Sequence, residues 1–209
     1  MITKLYRKIL DIFSKAGEQG EYSAGYLQNK VREKALLWCQ SLNGKLLEIG
    51  CGEGLFLQRL KESSFELFGL DNSKERTLAA ERRLGSAVKL YEADATLLPF
   101  ENDYFDCIVC VNVIFNLPSK EVVEKTLSEI HRTLKKGGKV IFDFRNRKNI
   151  LLFVKYSLAP LYDATVRKLP LMMYSLEEMR NLLGKYNFRI TKTEKIGFSA
   201  PVIMLKAEK

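Results

Sequence analysis

The feature that most constrains the fold is a loop of three alternating glycines, Gly50, Gly52 and Gly54, in the segment L-L-E-I-G-C-G-E-G. A short apolar run precedes this loop and an amphipathic stretch follows it, which is the pattern of a strand, a tight turn and a helix. Glycine in such a turn permits a left-handed backbone and a close approach to a ligand. The loop therefore predicts an α/β fold with a small-molecule site at the end of its first strand.

The alternation of short apolar runs and amphipathic stretches repeats along the chain, as expected for βαβ units. Nearly continuous apolar strands favour a parallel sheet that helices cover on both faces. The predicted strands of this part lie near Lys45–Ile49, Glu66–Leu70, Val88–Tyr91, Cys107–Val111 and Lys139–Phe144.

Two further strand-like runs close the chain, Phe188–Ile196 and Val202–Leu205. The five residues between them can form a hairpin but are too few for a parallel crossover. We therefore expect the sheet to end in an antiparallel strand.

A chain of 209 residues suits one α/β domain. Within it we expect an N-terminal helical cap at 1–44, a cofactor-binding core at 45–144, a substrate-cover insertion at 145–174, and a last helix with the terminal hairpin at 175–209. No apolar run is long enough to cross a membrane, and charged residues interrupt the N-terminal segment too often for an export signal.

The glycine loop differs from the dinucleotide-binding pattern, because it is G-x-G-x-G rather than G-x-G-x-x-G. Glu48 and Glu53 lie where a pyrophosphate would bind, and their charge would repel it. An NAD-linked reductase is therefore a weak alternative.

Asp71, 19 residues beyond Gly52, occupies the position of an acid that binds ribose hydroxyls, and Asp94 follows the next strand. Carboxylates at three strand ends favour a ligand with a ribose, an amine and a positive charge, without phosphates.

Four segments together resemble the class I S-adenosylmethionine-dependent methyltransferases, especially the type 11 small-molecule family that includes ubiquinone and menaquinone biosynthesis enzymes. These segments are L-L-E-I-G-C-G-E-G, G-L-D-N-S, A-D-A-T-L-L-P-F with the F-D-C-I-V-C-V-N-V that follows, and L-K-K-G-G-K-V-I-F-D. The resemblance implies a Rossmann-like sheet of seven strands in the order 3-2-1-4-5-7-6, with strand 7 antiparallel, N-terminal helices and a helical substrate cover.

The resemblance also implies S-adenosylmethionine as cofactor, S-adenosylhomocysteine as product, and no metal. The methionine end of the cofactor would contact the glycine loop, with Glu48 orienting the loop or reaching the amino group. Asp71 would bind the ribose, Asp94 and Ala95 the adenine, and Val111 with Asn112 would close the pocket. The residues that it assigns to the cofactor site are Glu48, Gly50, Cys51, Gly52, Asp71, Asn72, Asp94, Ala95, Val111 and Asn112.

No histidine follows the fourth strand, where many relatives carry a histidine pair. Asp143, at the end of the fifth strand, is a candidate base at the pocket mouth or simply a polar strand end. Tyr22 is a second candidate catalytic residue, in a glycine-bounded segment that could fold over the cofactor or instead serve hydrophobic docking of the N-terminal helices. The segment Asn149–Ala159 is predicted to form a helix over the acceptor pocket, with Tyr162 and Tyr174 as lining candidates, and a plain packing helix is the alternative.

Charge and cysteine content limit the partners. The net charge is +9, but no run of basic residues exceeds two, so solvated faces explain most of it and we expect no stable nucleic acid partner. An RNA-directed methyltransferase, or a non-catalytic nucleic-acid-binding protein of the same fold, remains the alternative. Residues 145–170 carry six cations and one anion, which suits an anionic or amphiphilic small-molecule acceptor or a transient membrane-surface contact; a solvated cap is the alternative interpretation. Four cysteines without a disulfide pattern indicate a cytoplasmic protein, and the C-x-x-C of Cys107 and Cys110 is interpreted as core packing.

Overall fold

A computed structural model describes residues 26–152, 154 and 172–209. The helices in this part are α1 (Tyr26–Cys39), α2 (Leu55–Gln58), α3 (Lys74–Leu84), α4 (Lys120–Thr133) and α5 (Leu176–Lys185). The strands are β1 (Gly44–Ile49), β2 (Phe65–Asp71), β3 (Val88–Glu92), β4 (Phe105–Cys110), β5 (Leu134–Asn146), β6 (Met173–Tyr174), β7 (Arg189–Ile196) and β8 (Val202–Glu208).

All eight strands form one sheet in the order β3-β2-β1-β4-β5-β8-β7, and β6 pairs with the end of β5. The pairs from β3 across to β5 are parallel, whereas β8 is antiparallel to both β5 and β7. The predicted Rossmann-like class and the antiparallel hairpin are confirmed. The predicted count of seven strands is wrong by one, because residues 173–174 pair with Arg145 and Asn146 in a strand too short to leave a sequence pattern.

Helices cover both faces of the sheet, and neighbouring strand residues point into opposite layers. Leu46 packs in the layer that contains α1, α2 and α3, whereas Leu47 packs in the layer that contains α4 and α5. Cys107 and Cys110 follow the same rule, since each is buried, unoxidised and in a different layer. The interpretation of this C-x-x-C as core packing is confirmed.

Three helices begin at a serine whose hydroxyl accepts a backbone N–H of the first turn. Ser73 accepts from Arg76 at 3.4 Å, and Ser119 accepts from Val122 at 3.4 Å. Ser175 and Glu178 form a capping box. The Ser175 hydroxyl accepts the Glu178 N–H at 3.1 Å, and the Glu178 carboxylate accepts the Ser175 N–H at 2.7 Å. These caps set the starts of α3, α4 and α5.

Parts of the predicted cap and cover lie outside the described residues. These parts are residues 1–25, with Tyr22, and residues 155–171, with Tyr162. Of the predicted cover helix, residues 150–152 are helical, and Asn149 Oδ1 accepts the Leu152 N–H at 2.7 Å. Among the described residues, no helix is both long and apolar enough to span a membrane.

Candidate functional site

A cavity of about 380 Å³ lies at the carboxyl ends of β1 and β4, where open α/β sheets bind their ligands. Its volume falls within the range of roughly 300–1,000 Å³ that is common for small-molecule sites. The glycine loop forms its floor, residues that follow β4 form one wall, and α1 contributes Gln28 and Arg32. Six of the predicted cofactor residues line this cavity: Glu48, Gly50, Cys51, Gly52, Val111 and Asn112.

The glycine loop is held against the end of β2 by backbone hydrogen bonds. The N–H groups of Gly50 and Cys51 both donate to the Leu70 carbonyl, at 2.7 and 3.0 Å. Gly50 and Gly52 have left-handed backbones, with φ of 71° and 52°. A Cβ atom added at Gly52 would lie more than 4 Å from every other described residue except its chain neighbours. In the described part of the chain, the backbone at Gly52 therefore faces space that a ligand could enter.

Asp71 stabilises the loop from the end of β2. Its Oδ2 accepts the Gly52 N–H at 2.9 Å and its Oδ1 accepts the Ser73 N–H at 3.0 Å. The side chain is 3% exposed and does not line the cavity. Its observed contacts therefore fix the shape of the loop, and the ribose contact stays a prediction.

Glu48 and Arg32 bring a carboxyl group and a guanidinium group to the cavity. Glu48 is 3% exposed, and its Oε2 is buried without a hydrogen-bond partner among the described residues. Burial raises the pKa of Glu48 well above its usual value, the Arg32 charge acts to lower it, and Asp71 raises it further. Arg32 is equally enclosed, at 9% exposure. Sequence reasoning missed Arg32, because nothing in the pattern of α1 distinguishes it from the other cations of that helix.

Cys51 lines the cavity but carries no nucleophile. Burial raises the pKa of its thiol well above the usual range, and Glu48 and Asp71 add to the effect. The thiol therefore stays protonated at neutral pH. Cys51 contributes shape to the floor of the site rather than reactivity.

The wall after β4 is built from Val111 and Asn112 and from the 3-10 turn Ile114–Asn116. Asn112 has a left-handed backbone, with φ of 61°, and its carbonyl accepts from Asn116 Nδ2 at 3.0 Å. Its Oδ1 is buried and has no hydrogen-bond partner in the described part of the chain. Phe115 and Asn116 also line the cavity, although no sequence signal marked them.

Asp143 does not lie at the mouth of the cavity, contrary to its prediction as a base. Its side chain is 0% exposed, and it contacts the Asn112 N–H and the Arg145 guanidinium. Burial raises its pKa, an effect that Arg145 and the Asn112 N–H oppose. A carboxylate enclosed in this way cannot reach an acceptor, so the structure corrects this assignment. Tyr174 likewise packs in the core and does not line the cavity.

The remaining predicted cofactor residues lie along the same edge of the sheet, outside the cavity. Asn72 and Asp94 are exposed and Ala95 is partly exposed. Asp94 Oδ1 accepts both the N–H and the hydroxyl of Thr96 at 2.7 Å, and these hydrogen bonds lower its pKa. The residues predicted for the adenine are thus at least partly exposed and do not line the cavity. No group of three His, Cys, Asp or Glu side chains that could hold a metal is found in the described residues.

Comparison with known proteins identifies the family. A family model described as a methyltransferase domain, of type 11, matches residues 47–142. Residues 47–142, just under half of the chain, thus match a class I S-adenosylmethionine-dependent methyltransferase domain. The predicted family is thus confirmed, and its matched region contains the glycine loop, the carboxylates that follow β2 and β3, and the wall after β4.

Among curated relatives, a phosphatidylethanolamine N-methyltransferase of Cereibacter sphaeroides is 29% identical over 146 residues, which cover 66% of this chain and 70% of the relative. The Bacillus subtilis protein YqeM is 28% identical over 103 residues, 48% of this chain and 42% of its own length. The chain thus spans less than half of that relative. In fold, the magnesium protoporphyrin IX methyltransferase of Synechocystis, solved with S-adenosylhomocysteine, matches 99% of this chain and 95% of its own, with a TM-score of 0.71 and 17% identity.

Proposed function

We propose that this methyltransferase transfers the methyl group of S-adenosylmethionine to a small-molecule acceptor. The observation that carries the proposal is the acid and the base, Glu48 and Arg32, that line the cavity with Gly52. The methionine end of the cofactor is a zwitterion, so its carboxylate suits Arg32 and its ammonium group suits Glu48, whose ionised form it would stabilise. Among the described residues Glu48 Oε2 has no hydrogen-bond partner, which supports this fit, because a buried carboxylate oxygen gains most from a charged donor.

The rest of the cofactor would extend along the sheet edge. Its ribose would lie near the end of β2, where Asp71 and the loop meet, and its adenine near Asn72, Asp94 and Ala95. When bound, S-adenosylmethionine supplies a sulfonium methyl group that an acceptor nucleophile takes in one displacement, leaving S-adenosylhomocysteine.

The chain's own contribution is positioning and exclusion of water. The cavity is lined by apolar Val111, Phe115 and Phe56 as well as by its charged pair, so a bound cofactor would lose much of its hydration there. Alignment of the two reactants is worth several kcal/mol, and no proton transfer is needed where the acceptor is already a nucleophile. The protonated Cys51 and the enclosed Asp143 agree with a reaction that rests on proximity.

Isothermal titration with S-adenosylmethionine, S-adenosylhomocysteine and NADH tests the cofactor. We expect binding of the first two and none of NADH. Arg32→Met and Glu48→Gln should each weaken S-adenosylhomocysteine binding, whereas Lys136→Met, an exposed residue at the opposite end of the sheet, should not. Binding of NADH alone would overturn the proposal.

For the acceptor, we propose an anionic or amphiphilic molecule. Ile150 and Leu151 are 73% and 57% exposed, and the exposed Lys148 precedes them, so apolar and cationic groups lie together beside the end of β5. The name of the Cereibacter relative, whose acceptor is a phospholipid, supports the same class.

A panel of phosphorylated or carboxylated amphiphiles and neutral polar metabolites, assayed for release of S-adenosylhomocysteine, tests this class. We expect turnover of the anionic members, reduced by Lys148→Glu and unaffected by Lys136→Glu. Two results would contradict the acceptor class: turnover of neutral polar acceptors only, or turnover of anionic acceptors at the same rate in the parent and in Lys148→Glu. Neither result would affect the cofactor assignment.

A further inference from the structure

A buried ion pair lies directly behind the cavity wall. Asp143 and Arg145 are two residues apart on β5, so both side chains lie on the same face of the strand. They are 0% and 3% exposed, and Arg145 Nη1 donates to Asp143 Oδ2 at 3.1 Å. Neither residue lines the cavity, and neither has a part in the binding contacts proposed above.

Each member of the pair contacts one residue of the wall. Asp143 Oδ1 accepts the backbone N–H of Asn112 at 2.5 Å. The guanidinium carbon of Arg145 lies 3.7 Å from the centre of the Phe115 ring, in a cation–π contact. Asn112 and Phe115 both line the cavity, so the pair is linked to it at two points.

The wall needs such support because its backbone is irregular. Asn112 is left-handed, with φ of 61°, in a chain that leaves β4 and enters a single 3-10 turn. The Phe115 carbonyl also accepts the Met172 N–H at 3.0 Å, which joins the same 3-10 turn to the residue just before β6. A buried ion pair is expensive compared with apolar side chains of similar volume, so stability alone gives little reason for one here.

We propose that Asp143 and Arg145 are positioning residues, which hold Asn112 and Phe115 in the geometry that binds the cofactor. This inference rests on the proposed function where it concerns the cofactor. The positioning itself is a property of the ligand-free protein and can be measured without any ligand. Arg145 acts on Phe115 and Asp143 acts on Asn112, so removal of either should disturb the wall more than the sheet.

Hydrogen exchange of the ligand-free protein tests the positioning. The variants are Asp143→Asn, which removes the charge at nearly the same size, and Arg145→Lys, which keeps the charge but removes the planar guanidinium. The control is Lys139→Met, which breaks the Lys139–Glu208 ion pair in the first half of β5. We expect peptides that cover residues 111–117 to exchange about tenfold faster in both variants than in the parent. The control should leave those peptides unchanged.

Binding of S-adenosylhomocysteine tests the consequence through a double-mutant cycle of Arg145→Lys and Phe115→Leu. If Arg145 acts through Phe115, its substitution should weaken binding about fivefold in the parent and hardly at all once Phe115 is Leu. Additive losses, or unchanged exchange at 111–117 in either β5 variant, would overturn the proposal. A parent protein that binds no S-adenosylhomocysteine would instead overturn the proposed function, and hydrogen exchange would still decide whether the pair positions the wall.

Discussion

The backbone N–H of Gly52 donates a hydrogen bond of 2.9 Å to Asp71 Oδ2, which joins the glycine loop after β1 to the end of β2. The other oxygen of the same carboxylate accepts the Ser73 N–H at 3.0 Å, next to the start of α3. One buried side chain thus sets the position of the loop and of the turn that leads into α3. The shape of the cavity floor depends on this carboxylate.

Replacement of this carboxylate should impair both folding and binding. Asp71→Ala leaves two backbone N–H groups without their acceptor, each a charge-assisted hydrogen bond worth about 1.5–3 kcal/mol, and the two are not fully additive. We expect affinity for S-adenosylmethionine to fall about tenfold or more in isothermal titration, and the unfolding midpoint to drop. Glu92→Ala is the matched control, because Glu92 is exposed and pairs in register with Asp71 on β3. Equal affinities of parent and Asp71→Ala would exclude this role.

Arg132 should contribute strongly to stability. Its guanidinium donates to both oxygens of Glu129 at 2.7 Å, to the Phe100 carbonyl at 2.8 Å and to the Leu98 carbonyl at 3.0 Å, so it fastens the chain before β4 to α4. We expect Arg132→Ala to lower the free energy of unfolding by about 2–3 kcal/mol.

Urea unfolding measures the effect of Arg132→Ala against a control on the surface. Arg189→Ala breaks a single contact of 2.8 Å with Glu208, and the Arg189 side chain is 73% exposed. Such a pair is worth about 0.5 kcal/mol or less. Comparable losses in the two variants would show that the Arg132 contacts contribute no more than an ordinary surface pair.

The centre of the sheet could be predicted from the sequence because its strands β1, β2, β4 and β5 are largely buried on both faces and contain short apolar runs. Leu46, Leu47 and Ile49 are each at most 1% exposed, and the glycine loop follows them directly. The glycines of this loop have left-handed backbones, which other residues rarely adopt. The alternating glycines could therefore be recognised in the sequence as the floor of a ligand site. The six predicted residues that line the cavity were assigned through the resemblance to the methyltransferase family.

The cavity walls were harder to predict, because they depend on contacts between distant parts of the chain. Asp143 was a candidate base at the pocket mouth, but in the structure it lies within β5, opposite Met204 of β8, and its side chain is buried against Arg145 and the Asn112 N–H. Arg32 reaches the cavity only because α1 packs on the layer that contains Leu46. Neither the burial of Asp143 nor the position of Arg32 produces a recognisable pattern in the nearby sequence. A charged residue in the sequence does not show whether other parts of the chain will pack over it.

Glu48 should make stability depend on pH. Its pKa in the folded protein is well above the value of about 4.3 expected for an unfolded chain, mainly because it is buried. Between those two values the folded state binds more protons than the unfolded state, so stability falls as pH rises through that window. Glu48→Gln removes the titration and should remove this part of the decline.

Thermal unfolding of the parent and Glu48→Gln from about pH 4.5 to pH 8 measures this effect, since the other titrating groups are shared and largely cancel. The difference in midpoint should move in favour of Glu48→Gln as pH rises. At the same time the variant should bind S-adenosylhomocysteine more weakly, because an amide cannot pair with the ligand's ammonium group. Parallel midpoint curves across this pH range would mean that Glu48 is not proton-linked to folding.

Gly52→Ala separates the conformational role of the loop from its role in binding. The backbone of Gly52 has φ of 52°, where alanine is strained by about 1–2 kcal/mol, but an added Cβ has no contact within 4 Å in the described part of the chain beyond its neighbours in sequence. Gly137 offers a matched control, since it also has a positive φ, of 78°, and open space around its Cβ position, and it lies at the opposite end of the sheet. We expect both alanine variants to lose a similar, modest amount of stability in urea unfolding.

Only Gly52→Ala should lose affinity for S-adenosylhomocysteine, by about tenfold or more, because the new methyl group projects into the space that the ligand fills. Gly54→Ala should instead lose mainly stability and little affinity. Its added Cβ would lie 2.5 Å from Leu84 Cδ1, so the clash is with α3 and the loss should be mainly of stability. If Gly52→Ala binds S-adenosylhomocysteine as tightly as Gly137→Ala does, the open space at Gly52 is not where the ligand binds, and the methionine end of the cofactor must be assigned elsewhere in the cavity.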